Sequence, residues 1–262
     1  MSRDLRYALH LRNAASALAL IAVLLTAAGC GSAGESVARL EGVPHGSISP
    51  STLDHWMQAT VGGDFRRTIG TEGPAGLVSE PANYPRCIAA ARFVAPRSFF
   101  NQLRYTRAEL EDACRQLYRA IKAQTLSFLI SSEWTLTESA KLKLGATAAE
   151  VQHALEVDMQ KRPTREDLGK YLTERRWSLA DLLYQLKLNV LAAKLVARLR
   201  QQASETGGGT RALVRLTSKR DTSTAAKTTC RHGFVVPGCR EYRTNTPPAP
   251  SSEVVLKRLT GK

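Results

Sequence analysis

The stretch that decides the fold spans residues 106–204 and reads TRAELEDACRQLYRAIKAQTLSFLISSEWTLTESAKLKLGATAAEVQHALEVDMQKRPTREDLGKYLTERRWSLADLLYQLKLNVLAAKLVARLRQQAS. Apolar residues recur in it at helical spacing, and four segments begin with a hydroxyl residue three places before an acid. These pairs are Thr106 with Glu109, Thr147 with Glu150, Thr164 with Asp167, and Ser178 with Asp181. An N-cap hydroxyl and an acid at N3 satisfy free backbone N–H groups and favour the helix dipole, so the stretch predicts capped helices. The two pairs that use Asp are expected to be weaker, because the reciprocal bond prefers Glu or Gln.

The apolar stripes of these segments predict a mainly all-α fold. The longest stripe starts at Leu110, and Gly145 is expected to end its helix. Pro163 separates two further helices, and the last one carries a leucine-rich stripe from Leu182 to Leu199.

The flanking regions are predicted to be short or irregular elements. Residues 36–40 suggest a strand, and 212–216 suggest either a strand that pairs with it or only an apolar patch. Ser51 is expected to cap a helix. Residues 61–85 hold five glycines and three prolines, which predicts a long loop, and 86–93 suggest a helical turn or two. SETGGG at 204–209 is expected to break the preceding helix and to form a linker, and the polar residues 218–229 are expected to be mobile. A short strand or helix is expected near the end of the chain.

The first thirty residues have the pattern of an export signal. Arg3, Arg6 and Arg12 precede an apolar run over 14–28, which is shorter than the roughly 20 residues that a membrane helix needs. The small residues before Cys30 resemble a bacterial lipobox, in which the cysteine becomes the lipidated N-terminus, although Ala27 replaces the usual Leu-like residue. We therefore predict a signal peptide over 1–29, lipidation at Cys30 and a tether over 30–36. The protein would then lie on the outer face of the cell membrane, or be secreted if an ordinary signal peptide is cut elsewhere.

The chain is strongly basic, with a net charge of +14 over its 262 residues. Removing residues 1–29 takes away three Arg and one Asp and leaves +12. The charge is dispersed and has no basic–aromatic motif, so with export it argues against nucleic acid as a partner. The positive charge is accounted for by solubility, or by attraction to anionic lipid, cell-wall polymer or acidic clients.

Four cysteines remain once Cys30 is set aside. Four cysteines allow three connectivities, and local spacing favours Cys87–Cys114 and Cys230–Cys239 as disulfides in an oxidising compartment. A metal site from Cys230, His232 and Cys239 is the weaker interpretation, because it lacks a fourth ligand. We therefore predict no metal and no cofactor.

Four segments together resemble the SurA/PrsA-like chaperone and prolyl-isomerase lipoproteins of Gram-positive bacteria, above all their SurA N-terminal domain. They are VARLEG at 37–42 with Ile48 and LDHWM at 53–57, LSFLISSEWTL at 126–136, the run 145–195, and CRHGFVVPGCREY at 230–242. The resemblance implies a SurA N-terminal-like helical domain over 37–203, followed by a linker and a disulfide-closed tail over 204–262. The chain departs from the family where the isomerases carry a parvulin domain. Only 204–229 lies there, below the roughly 40 residues that an unassisted domain needs, so we expect the parvulin domain to be absent.

The resemblance implies an ATP-independent chaperone that holds unfolded or nascent exported polypeptides. Candidate client-binding residues are Trp56, Met57, Trp134, Met159 and Trp177, and core packing is the competing interpretation for each. Two alternatives remain: a prolyl-isomerase relative with residual or no activity, and a non-catalytic adaptor lipoprotein of the cell envelope. No Ser/His/Asp or paired-carboxylate pattern indicates a hydrolase, so no catalytic residue is predicted.

Overall fold

A computed structural model describes residues 35–69, 77–78, 84–94, 106–160, 165–243 and 250–260. Eight helices lie in this part of the chain: α1 (Pro50–Ile69), α2 (Pro85–Val94), α3 (Arg107–Lys141), α4 (Ala148–Gln160), α5 (Arg165–Arg175), α6 (Leu179–Glu205), α7 (Gly209–Ala226) and α8 (Ser252–Thr260). Three short strands accompany them: β1 (Ala38–Leu40), β2 (Ser47–Ile48) and β3 (Thr228–Cys230). The prediction of a mainly helical fold with short peripheral strands is confirmed. The predicted signal peptide, the lipidation site Cys30 and the cap Thr164 lie outside the described residues.

Three of the predicted helix caps are present with the expected geometry. Thr106 and Ser178 form full capping boxes with Glu109 and Asp181, at the starts of α3 and α6. Thr147 exchanges the same pair of bonds with Glu150 before α4. The box with Asp181 is as complete as those with Glu, because the Ser178 N–H lies 2.8 Å from an Asp181 carboxylate oxygen. The shorter acid therefore reaches the N-cap here.

The long helix α3 runs without interruption and supplies the centre of the core. Leu117, Ile121 and Leu126 are fully buried along it. It ends earlier than predicted: Lys143, not Gly145, adopts the left-handed conformation (φ 54°). The Leu144 N–H then bonds the Ser139 carbonyl at 2.8 Å, which completes a C-terminal cap of the Schellman type.

Helix α1 continues through the predicted loop as far as Ile69. Ser49, not Ser51, caps it, since the Thr52 N–H donates to the Ser49 hydroxyl at 3.0 Å. Gly62 and Gly63 lie inside the helix, where α5 approaches closely: a Cβ on Gly62 would sit 3.0 Å from the Glu174 carbonyl oxygen. The glycines therefore serve helix packing rather than a turn.

The region after α6 is more ordered than the sequence suggests. Gly207 ends α6 as expected (φ 67°), but residues 209–226 form α7 instead of a linker. The antiparallel sheet has the order β2-β1-β3, so β1 pairs with β2 and β3 and not with 212–216. Helix α8 packs on α1 and α3 and buries Val255 and Leu256 completely. Residues 37–262 make up one compact unit.

Both predicted disulfides form with the expected connectivity. Cys87–Cys114 joins α2 to α3, and Cys230–Cys239 closes the loop after β3. Because the second disulfide consumes both sulfurs, the alternative metal site with His232 has no thiolate ligands.

Candidate functional site

A partly open cleft of about 280 Å³ lies between α1, α3, α5 and α6. We call it the aromatic cleft and define it by Trp56, Phe128, Arg175, Trp177 and Gln185, which line it together with smaller side chains of α1. It combines aromatic walls with a few polar groups, the usual composition of a binding site.

The position of Trp177 is set by two helix ends. Arg176 adopts the left-handed conformation (φ 54°) at the end of α5, and the Trp177 N–H bonds the Leu172 carbonyl at 2.9 Å. Ser178, the next residue, is the N-cap of α6. The indole is therefore held between a Schellman-type cap and a capping box.

The close packing of α5 on α1 brings this tryptophan to the cleft. Gly63 faces the Arg175 guanidinium, which would lie 3.4 Å from a Cβ at that position. The Arg176 guanidinium also donates to the Gln58 side chain on α1 at 3.1 Å. Larger residues at 62 and 63 would push α5, and with it Trp177, away from α1.

Trp56 is the centre of an aromatic group that forms the cleft wall. Its ring centroid lies 5.3 Å from that of Phe128, 5.8 Å from Tyr184 and 6.2 Å from Trp177. These separations and tilted or edge-on orientations are typical of favourable aromatic pairs. The wall is thus a rigid apolar surface built from three helices and the link before α6.

Polar groups of two kinds reach the cleft. The Arg175 guanidinium lies over the rings of Tyr171 and Trp177, at 4.5 and 5.2 Å from their centroids, as in cation–π contacts. The Trp177 Nε1 and Gln185 Oε1 atoms are buried and have no hydrogen-bond partner among the described residues. Neither atom has accessible surface, although both residues line the cleft.

The carboxylate of Asp64, which also lines the cleft, is already satisfied. It is buried on α1, accepts from Arg67 on the same helix, and accepts from the Ser252 hydroxyl of α8. This bond ties the C-terminal helix to the floor of the cleft.

Burial and hydrogen bonds shift the pKa values of three titratable groups near the aromatic wall. Burial raises the pKa of Glu133, against the attraction of His45, and burial together with the Glu133 charge raises the pKa of Tyr184. Burial also acts to raise the pKa of Asp181, but hydrogen bonds from the Ser178 N–H and from His55 outweigh it, so that pKa is lowered. His55 Nε2 lies 2.9 Å from an Asp181 oxygen and links α1 to the start of α6.

The structure brings together two of the five predicted client-binding residues: Trp177, which is half-buried, and Trp56, which is only 8% exposed and packs in the hydrophobic core. Met57 is buried in the core, with 3% of its surface exposed. Trp134 is 4% exposed, and its Nε1 donates to the Thr228 hydroxyl at 2.9 Å. These two positions therefore offer no surface to a client, because their side chains fill the interior. Met159 is half-buried on α4 and does not line the cleft.

Sequence reasoning missed the other residues of the site. Phe128 and Tyr184 belong to apolar helix stripes and look like ordinary core residues in the sequence. Arg175 and Gln185 carry no motif at all. The usable signal was the sequence ERRWS at 174–178, which places a tryptophan between a helix end and an N-cap.

A larger groove of about 750 Å³ runs between α3 and the loop closed by Cys230–Cys239. At its edge the Lys122 ammonium donates to the Gly233 carbonyl at 2.7 Å, and burial, with help from the Arg119 charge, lowers the pKa of Lys122. We assign no site to this groove, because residues 244–249, which join two of its lining residues, lie outside the described part of the chain.

Other kinds of site find no support in the described ranges. No three His, Cys, Asp or Glu side chains cluster there in a way that would hold a metal ion. None of the described helices has the length and apolar character needed to cross a membrane.

Comparisons with protein-family models, with curated proteins and with solved structures found no match to this chain. The interpretation of the cleft therefore rests on its own geometry.

Proposed function

We propose that this protein is an ATP-independent, chaperone-like protein that binds unfolded exported polypeptides in the aromatic cleft, outside the cell membrane and anchored by a lipid at Cys30. The observation that carries the proposal is the cleft itself. Two of the five candidate residues, Trp56 and Trp177, meet in a partly open space with aromatic walls.

The size and chemistry of the cleft suit a segment of unfolded chain. Its 280 Å³ is about twice the ~150 Å³ of a cavity that holds a benzene-sized molecule. A bulky apolar side chain and its peptide group fit that space. Contacts with aromatic walls are non-directional, so many sequences can bind weakly.

Helix α4 offers a second, shallower contact surface of the same character. No residue of this helix is buried, and its apolar side chains Val151, Leu155, Val157 and Met159 are all at least partly exposed. An amphipathic helix that leaves its apolar stripe partly open is suited to transient contact with unfolded chains.

The two disulfides support an extracytoplasmic location, because such bonds persist in oxidising compartments. Between α6 and β3 the chain forms α7, a single helix, where isomerases of the resembled family carry their catalytic domain. This favours a binding function over peptidyl-prolyl isomerisation.

The direct test is suppression of aggregation. The purified protein, with both disulfides formed, is mixed at stoichiometric amounts with a chemically denatured exported protein, and light scattering is followed after dilution. We expect reduced scattering, and a weaker effect for Trp177→Ala, which removes one wall of the cleft.

Two controls accompany this test. Val214→Ala changes an exposed apolar residue on α7 that does not line the cleft, and should act like the wild type. Trp177→Phe keeps an aromatic wall and guards against a folding defect in the alanine variant. Scattering that is unchanged by stoichiometric wild-type protein would contradict the proposal, and crosslinking in cells to one dominant partner would favour the adaptor alternative.

A further inference from the structure

The exposed face of α7 carries a row of unpaired positive charges. Arg211, Arg215 and Lys219 follow one another at every fourth position, so they share one face of the helix, about 6 Å apart along its axis. All three are exposed, and their side chains form no ion pair or hydrogen bond with other described residues. We call these three residues the basic stripe.

The opposite face of α7 is fixed against the helical core. Leu213 and Leu216 are half-buried there, and α6 is the neighbouring helix. Arg220, also half-buried, forms an ion pair with Glu138 near the end of α3. These contacts set the rotation of α7, so the basic stripe points away from the protein.

The helix itself does not neutralise the stripe. Its single acidic residue, Asp221, is not three or four positions from any of the three cations, so it cannot pair with them along the helix. Like charges four positions apart destabilise a helix. An anionic partner would remove that repulsion, which favours binding of such a partner over an empty, solvated face.

The fold places the end of α7 beside the point where the predicted lipid tether joins the domain. α7 leads into β3, which pairs with β1, and the Glu41 N–H donates to the Lys227 carbonyl at 2.8 Å. The seven residues before Val37, starting at Cys30, span at most about 25 Å. Since α7 is itself about 27 Å long, lipidation at Cys30 would keep it within reach of the bilayer surface.

An anionic bilayer surface matches the charge, position and composition of this face. Anionic headgroups form an extended layer that attracts polybasic segments close to a membrane anchor. Val214, which is 58% exposed, lies at the edge of the stripe, three positions from Arg211, and suits the boundary between headgroups and acyl chains. Because the tether raises the local concentration of the surface, a weak attraction is sufficient.

We propose that the basic stripe of α7 lies on anionic lipid headgroups and thereby orients the anchored protein on the membrane. The inference rests on the lipid-anchored location in the proposed function. It does not depend on what the aromatic cleft binds.

The test removes the anchor and measures the stripe alone. Residues 30–262, which include the compact unit 37–262, are prepared with Cys30→Ser and both disulfides formed. Co-sedimentation is measured with vesicles of equal parts phosphatidylglycerol and phosphatidylcholine, and with vesicles of phosphatidylcholine alone. We expect binding to the anionic vesicles only. The triple variant Arg211→Gln/Arg215→Gln/Lys219→Gln should bind about 100-fold more weakly, since each basic residue near an anionic surface contributes about fivefold.

The matched control removes the same amount of charge elsewhere. Arg86→Gln/Arg107→Gln/Lys170→Gln changes three exposed cations outside α7. Arg107 begins α3, and Cys87–Cys114 attaches the helix of Arg86 to that same end, whereas α7 contacts α3 at Glu138. Because salt screens charges beyond about 10 Å, this variant should stay within about twofold of the parent protein.

Three results would overturn the inference. The first is no binding of the parent protein to anionic vesicles, and the second is an equal loss of affinity in the two triple variants. The third is tighter binding to soluble poly-glutamate than to the vesicles at equal anion concentration, which would assign the stripe to an acidic polymer. No unfolded client is present in these measurements, so the chaperone function stands or fails separately in the aggregation assay.

Discussion

The substitution Thr228→Val tests how the C-terminal region is attached to the helical core. Thr228 is completely buried at the start of β3, and its hydroxyl accepts from Trp134 Nε1 and donates to the Thr224 carbonyl, each at 2.9 Å. Valine has the same shape but no hydroxyl. The Thr224 carbonyl keeps its bond from the Lys227 N–H, so the indole N–H is the one group left without a partner.

A buried donor that loses its partner destabilises the folded state by about 1–3 kcal/mol. We therefore expect Thr228→Val to lower the free energy of unfolding by about 2 kcal/mol. In a Trp134→Phe background the indole donor is absent, so Thr228→Val should lower the free energy of unfolding much less. The resulting coupling between the two positions is expected at about 1–2 kcal/mol, within the usual range for residues in contact.

Urea unfolding followed by far-ultraviolet circular dichroism, with both disulfides intact, measures these differences without depending on tryptophan fluorescence. Thr229→Val is the matched control, because the neighbouring threonine of β3 is exposed, and it should stay within about 0.5 kcal/mol of the wild type. A Thr228→Val variant as stable as that control, or an equal cost in both backgrounds, would refute the role assigned to this hydrogen bond.

Two further measurements test the tail and the capping network. Leu256→Ala removes a fully buried side chain of α8 and should lower the free energy of unfolding by about 2–5 kcal/mol. Val254→Ala, at a residue that is 51% exposed, should lower it by less than about 0.5 kcal/mol. Equal effects of the two variants in urea unfolding would show that α8 does not pack on the helical core. Hydrogen bonds from Lys194 and from Thr147 lower the pKa of Glu150 to about 2, from an ordinary 4.5. Its stabilising contribution is therefore present above pH 4.5 and is lost as the pH falls towards 2. Titration by nuclear magnetic resonance should show this low pKa of Glu150, and Lys194→Met should raise it. A Glu150 pKa in that variant equal to the wild-type value would contradict the pairing of Lys194 with Glu150.

The features that the sequence predicted well depend on local interactions. The capping boxes of Thr106, Thr147 and Ser178 involve residues three positions apart, so spacing alone identifies them. The disulfides follow from four cysteines and short separations. The long stripe of α3 reflects a single helix face, which periodicity reports directly.

The larger failures involve contacts between distant parts of the chain. Gly62 and Gly63 have the local signature of a loop, but the close approach of α5 gives them a place inside a helix. Residues 209–226 have few apolar residues, and their helix is supported by packing on α6 and by an ion pair between Arg220 and Glu138 on α3. The partner strand of β1 lies near position 229, far along the chain, where no periodicity argument reaches it.

The candidate site shows the same division. Trp56 and Trp177 were predicted separately as surface candidates, but their meeting depends on the packing of α5 on the glycines of α1. Gln185 was not predicted, because its place in the cleft depends on the packing of α6 on α3. A single sequence contains no signal for that property.

The architecture around Trp177 has a consequence for how the cleft would act. A non-glycine residue in the left-handed conformation is unfavourable, yet Arg176 adopts it, and its guanidinium is fixed to Gln58 on α1. Gln58 in turn donates to the Val78 carbonyl at 3.2 Å. The link between α5 and α6 is thus held from both sides, and the indole needs little reorganisation when a ligand arrives. Pre-organisation of this kind preserves affinity in a site that makes only a few polar contacts.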